Sequence, residues 1–165
     1  MPTGPAARVG DFVSHPLPPT LGPGPGSPDV KIGNKPAWRG VPAAAAAAMQ
    51  AVKQVADIAV QAAEAATKAA VGPALPIAKA AEQTLKGATL TALTNAFSAV
   101  SAGADKHVCN VPSPIPPHGP GMVIDGSKTV LINNLPACRL GDTVLEPLGP
   151  PNKIAMGEMT VIIGG

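Results

Sequence analysis

Two hydrophobic rhythms divide the chain. Between Gly26 and Arg39 the pattern alternates, with Val30 and Ile32 on one face and Asp29 and Lys31 on the other. That period of two predicts a half-buried strand. The same beat returns at Val130 and Ile132, and again at Val161 and Ile163. Across residues 42–104 the rhythm is helical: Ala43–Ala48, then Met49, Val52, Val55, Ala59, Ala62 and Ala66, and later Leu90, Leu93, Phe97 and Val100. Lys53 and Asp57, and Glu64 and Lys68, stand four apart with opposite charge. Val71-Gly72-Pro73 stops the first helix, Pro76 opens the second, and Gly103 suits its end. A helical hairpin is predicted.

The alternating segments are copies of one unit. Gly26–Arg39 and Gly126–Arg139 align without a gap at eight identical positions: Gly, Ser, Val, Ile, Asn, Pro, Ala and Arg. Pro5-Ala6-Ala7-Arg8-Val9-Gly10-Asp11 matches Pro136-Ala137-Cys138-Arg139-Leu140-Gly141-Asp142, and Gly157–Ile163 matches the start of the unit. Arg8 lies 31 residues before Arg39, and Gly126 lies 31 before Gly157. The chain therefore reads as three units of one period. The middle unit is interrupted by the helical segment, and the first is split between the two ends of the chain. Three related blades around an axis, closed by the termini, are expected. Residues 1–41 and 105–165 form one discontinuous β domain, with 42–104 inserted. Arg39-Gly40-Val41 lacks the Asp that follows Arg8 and Arg139, and Asp105, just after the insertion, is expected to supply it.

Local signals fill in the rest. Gly10 and Asp11 suit a tight turn, and Asn34 and Asn133-Asn134 suit hairpin turns because Asn tolerates positive φ. Residues 16–25 and 110–121 are proline-rich and read as loops without a strand ladder; residues 143–153 also read as loop. Met122–Asp125 reads as a strand, as do Ile154–Met156 and Met159–Ile163.

Composition sharpens the division. The chain has 21 prolines and 18 glycines, mostly outside the helical segment, and only two Phe, one Trp and no Tyr. Such a core is poor in large side chains and needs another source of stability. The net charge of +2, without a basic patch or an aromatic platform, argues against nucleic acid. No basic segment followed by an apolar run marks a secretory signal at the N-terminus. Gly87–Ala104 carries no charge, but its threonines, serines and Asn95 disfavour membrane insertion.

Candidate chemistry gathers in the loops. His107-x-Cys109 and His118 lie in one loop, at the position equivalent to His15 in the first unit. Imidazole nitrogen and thiolate suit tetrahedral zinc, and four protein ligands make a closed structural site. His15, His107, Cys109 and His118 are the predicted ligand set, and bound zinc would staple the fold. The alternative is four unrelated loop residues. Cys138 stands where the other copies have Ala7 and Trp38, so it reads as a packing position. The loop Thr143–Asn152 holds no His or Cys, so the site is expected to draw on two units only. Arg8, Arg39 and Arg139 recur once per unit and read as clamps within each blade. No nucleophile with its base and no paired carboxylates are found, and no enzymatic activity is expected.

Pro5-Ala6-Ala7-Arg8 and the Gly-Ser-x-x-Val-x-Ile…Pro-Ala-x-Arg-x-Gly-Asp unit resemble the PAAR-repeat family, over residues 4–41 and 105–165. The resemblance implies a mainly β fold, a conical pseudo-three-fold PAAR β cone, here interrupted by the inserted α-helical hairpin. It implies a tip protein that caps the trimeric VgrG-type spike of type VI secretion and related contractile injection machines. It also implies structural Zn2+ on three His and one Cys, the set His15, His107, Cys109 and His118. A pseudo-three-fold monomer would sit on a trimer. The protein would stay in the cytoplasm until the machine exports it. Trp38 and Cys138 depart from the motif's second Ala, and the chain ends after its last strand with no C-terminal toxin expected. The hairpin would dock effector cargo or a chaperone; the alternative is a secreted, membrane-active effector acting through the hairpin. A zinc hydrolase is disfavoured because four protein ligands leave no open position.

Overall fold

The computed structural model describes residues 2–15, 19–109 and 118–165. In chain order its elements are β1 (Gly4–Ala6), β2 (Pro23–Gly24), β3 (Lys31–Ile32), β4 (Lys35–Pro36), α1 (Ala43–Ala69), α2 (Ala74–Val100), β5 (Lys106–Val108), β6 (Pro120–Val123), β7 (Leu131–Ile132), β8 (Leu135–Pro136), β9 (Thr143–Leu145), β10 (Asn152–Lys153) and β11 (Glu158–Ile163). The strands are short, and the two helices of 27 residues each hold more of the chain than the strands do. Strands β10-β9-β6-β5-β2 form one antiparallel sheet, and three two-stranded pairs, β1-β11, β3-β4 and β7-β8, flank it.

The repeat is visible in the bonding. Ala7 N–H donates to the Cys138 carbonyl (2.9 Å), Cys138 N–H to the Trp38 carbonyl (3.1 Å), and Trp38 N–H to the Ala7 carbonyl (2.9 Å). The same position of each unit thus closes a circle of three, and all three residues are buried. Around it Ala6, Ala37 and Ala137 pack with Ile32, Ile132 and Ile163. A close three-way approach of backbones explains the small residues at these positions. Trp38 and Cys138 depart from Ala in the second position and fill the neighbouring core with Val13, Leu21, Val123 and Ile154. Burial pushes the Cys138 thiol well up, as suits a packing residue.

Each unit has a buried arginine clamp. Asp11 accepts from the Arg8 backbone (2.8 Å) and guanidinium (3.1 Å). Asp142 accepts from the Arg139 backbone (2.9 Å) and Nε (3.0 Å). In the interrupted unit Asp105 takes this role, accepting from Arg39 N, Nε and Nη2 at 2.8, 3.0 and 2.8 Å. The insertion therefore separates the arginine from its aspartate in sequence but not in space. The partner Asp raises the Arg8 and Arg39 pKa values. Burial pushes the Asp142 carboxyl up to about 6, against the opposing pull of Arg139.

The outer ends of two guanidiniums reach the next unit, and that of Arg8 reaches the other half of its own split unit. Arg39 Nη1 donates to Asn133 Oδ1, Arg139 Nη1 to the Gly165 carbonyl, and Arg8 Nη1 to Glu158. β1 pairs with β11, Gly4 opposite Ile163, so the two ends complete one unit. The hairpin turns fall at Gly33-Asn34 and Asn133-Asn134, all at positive φ, the geometry a two-residue turn needs.

Helices α1 and α2 form the expected hairpin. Met49, Leu93 and Phe97 bury its near end against Val41, Met122, Leu135 and Leu145 of the β region. Beyond that anchor much of the hairpin is exposed, including Val55 and Ile58 in the middle of α1 and Val71 and Ile77 toward the turn. Lys53 pairs with Asp57 (2.9 Å), but Glu64 reaches across to Lys86 of α2 (2.7 Å) and not to Lys68. Pro73, not Pro76, caps α2, because Pro76 fits within the first turn, where its missing N–H is no loss. No helix among the described residues is long and apolar enough to cross a membrane.

Two segments read as loop carry strands. Pro23–Gly24 pairs with Lys106–His107, and within 143–153 the strands β9 and β10 pair with each other. Two-residue ladders are too short to leave an alternation in the sequence. Pro120–Gly121 likewise belongs to β6. The remaining proline-rich residues 16–18 and 110–117, read as loop, lie outside the described residues.

Candidate metal centre

The centre lies where the ends of the five-stranded sheet meet the loops. His15 follows the bridge that Val13 makes to Ile154, Cys109 follows β5, and His118 precedes β6. One ligand atom from each of His15, Cys109 and His118 lies within 4.8 Å of the others. Cys109 Sγ is 4.0 Å from His15 Nε2, and the rings of His15 and His118 are 5.1 Å apart. Cys109 is buried and the two histidines are partly so. Residues 94 apart in sequence meet here because β2 and β5 pair, joining the first unit's loop to the second's.

His107 lies within β5, fully buried, and is not one of this group of three. Its Nδ1 is 3.0 Å from the Thr20 carbonyl, so Nδ1 donates there. Its Nε2 faces Glu146 Oε1 at 3.5 Å. Cys138 sits apart, in the core around the three-way circle.

Glu146 was not legible as a site residue. It follows β9 and is fully buried. Its Oε2 accepts from His118 Nδ1 (2.9 Å) and from Asn152 Nδ2 (3.1 Å). The third unit, expected to stay out of the site, thus reaches it through a carboxylate. The helices brace this corner. Lys53 Nζ donates to the Pro147 carbonyl (3.4 Å), and Gly119, at φ +85°, leaves no room for a Cβ between Leu90 and Pro147.

The donors fit a zinc-like ion. Two imidazoles and a cysteine sulfur converge, a borderline-soft set. Among the described residues four buried side-chain atoms have no hydrogen-bond partner, and three of them, His15 Nδ1, His107 Nε2 and Glu146 Oε1, are in this corner, while Trp38 Nε1 is in the core. Buried polar atoms are ordinarily satisfied, so such a concentration in one corner points to a cation.

Residues 113–165 match the family model described as PAAR motif. That stretch includes His118, Arg139, Asp142 and Glu146. No curated protein and no solved structure matches the chain.

Proposed function

Because the chain is a PAAR-repeat protein with an alanine-rich helical insertion, we propose that it is the non-enzymatic tip of a type VI or related contractile injection machine, capping a trimeric VgrG-type spike. The observation that carries this reading is the three-way circle of Ala7, Trp38 and Cys138. It gives a single chain three-fold connectivity, which is what a monomer needs to meet a trimer on its axis. The equivalent valines of the three units, Val30, Val130 and Val161, are 36%, 38% and 38% exposed. With Leu131 and Ile162 they offer apolar surface in three related places for the blunt end of a β spike. The whole β domain tapers to a cone in this reading, its point made by the metal-bearing loops.

His15, Cys109 and His118 would hold zinc, with His107 the fourth ligand the sequence predicts. Bound zinc would tie the loops together and contribute folding free energy to an aromatic-poor core. The exposed surface of the hairpin, with Val55, Ile58 and Ile77, would recruit effector cargo or a chaperone. The machine would then export tip and cargo together.

The test is co-elution with a VgrG-type trimer on a sizing column. The expected result is one chain per trimer, with binding lost in a Val130→Lys, Val161→Lys double variant that keeps its thermal midpoint. Absence of co-elution, or equal binding by the variant, would overturn the docking reading.

A further inference from the structure

Glu146 is a buried acid in a corner otherwise supplied with imidazole and thiol. Its two oxygens address two different histidines. Oε2 accepts from His118 Nδ1, which fixes that nitrogen as the protonated one. Nε2 of His118 is then the atom left with a lone pair. Oε1 faces Nε2 of His107 across 3.5 Å, and neither atom has a hydrogen-bond partner among the described residues. His107 donates through Nδ1 to Thr20, so in the neutral ring its Nε2 also carries a lone pair. Two buried lone-pair atoms facing one another repel unless positive charge lies near. Asn152 holds the carboxylate from the far side.

We infer that Glu146 is the positioning carboxylate of the metal centre, orienting His118 through Nδ1 and presenting negative charge beside His107. The inference rests on the zinc reading above and adds a residue from the third unit to it. Histidines that bind metals commonly donate their other ring N–H to a carboxylate, which fixes the ring and strengthens the ligand. Glu146 meets that description for His118. Its Oε2 reaches His118 Nδ1 and its Oε1 faces His107 Nε2, so it acts through the histidines.

The experiment measures zinc affinity of the full chain by competition with a chromophoric chelator, alongside the thermal midpoint of the metal-free protein. Glu146→Gln is expected to weaken zinc binding about 10–100-fold. Its metal-free midpoint should hold, because the Gln carbonyl still accepts from His118 and its amide can donate to His107 Nε2. A carboxylate with a purely structural role gives the reverse, a lowered metal-free midpoint with unchanged affinity, and that result overturns the inference. If the wild type binds no zinc, the zinc reading itself fails. If the wild type binds zinc and Glu146→Gln binds it equally, only the role of Glu146 fails. Should Glu146→Gln not fold, Asn152→Ala decides, since it loosens the carboxylate and leaves every histidine in place. Several-fold weaker zinc binding by that variant supports the inference, and unchanged binding overturns it.

Discussion

The β region and the helical hairpin are held by opposite means. The β region has one tryptophan and short ladders, and much of what crosses it is polar: three buried arginine clamps, a circle of three backbone bonds, and a corner of imidazole, thiol and carboxylate. The hairpin is alanine-rich and regular, and it is anchored at one end by Met49, Leu93 and Phe97. The difference teaches where each region can be changed. Polar cross-links rest on a few specific partners, so losing one of them strands a buried charge. A helix pair with small side chains spreads its contacts, and its far end carries little of the fold.

The comparison breaks most readily at Arg39. Its partner Asp105 is fully buried and lies beyond the insertion. Arg39→Ala leaves that carboxylate without its guanidinium and removes the bridge to Asn133. A loss of about 3–5 kcal/mol in urea unfolding is expected, enough to threaten folding outright. A loss under about 1 kcal/mol would mean that the clamp is ornamental and that the β region rests on its apolar clusters after all.

That clamp also measures what the sequence made legible. The repeat spacing placed Arg8, Arg39 and Arg139 in equivalent seats and assigned Asp105 to the interrupted one. Covalent order was broken by the insertion, but residue chemistry was not. The hairpin was legible from its period. His15, Cys109 and His118 were legible because the repeat aligned their loops. Glu146 was not, because a lone acid in a Gly/Pro-rich segment looks like any solvated loop residue. Only burial and the two facing histidines distinguish it, and both arise from the pairing of β6 with β9. The strands in 143–153 were missed for a related reason, since a ladder of two or three residues leaves no period to read.

A second effect concerns the clamp at Asp142. Burial raises the Asp142 pKa from 3.8 to about 6. A carboxyl whose folded pKa lies above its unfolded value stabilises the fold at low pH and loses that contribution as pH rises through the folded value. The wild type should therefore lose stability relative to Asp142→Asn between pH 4 and pH 7.5, by on the order of 2 kcal/mol. Urea titrations of both proteins at the two pH values give the difference. A difference that does not change with pH would show that Arg139 compensates Asp142 fully.

The smallest expected effect lies on the exposed surface of the hairpin. Ile58 is 67% exposed and Ile77 is 72% exposed. Replacing both with Ser removes apolar surface that the fold does not bury, so the thermal midpoint should shift by no more than about 0.5 kcal/mol allows. A large destabilisation would mean that these residues pack, and the contrast between a cross-linked β region and a loosely committed hairpin would fail. A neutral result leaves two exposed isoleucines with no structural duty. Pull-down of effector cargo from the producing cell by the wild type, and its loss in the double Ser variant, would then assign that surface to recruitment. Equal recovery by the two proteins would remove this surface from the cargo site, and the search for one would move to the anchored end of the hairpin.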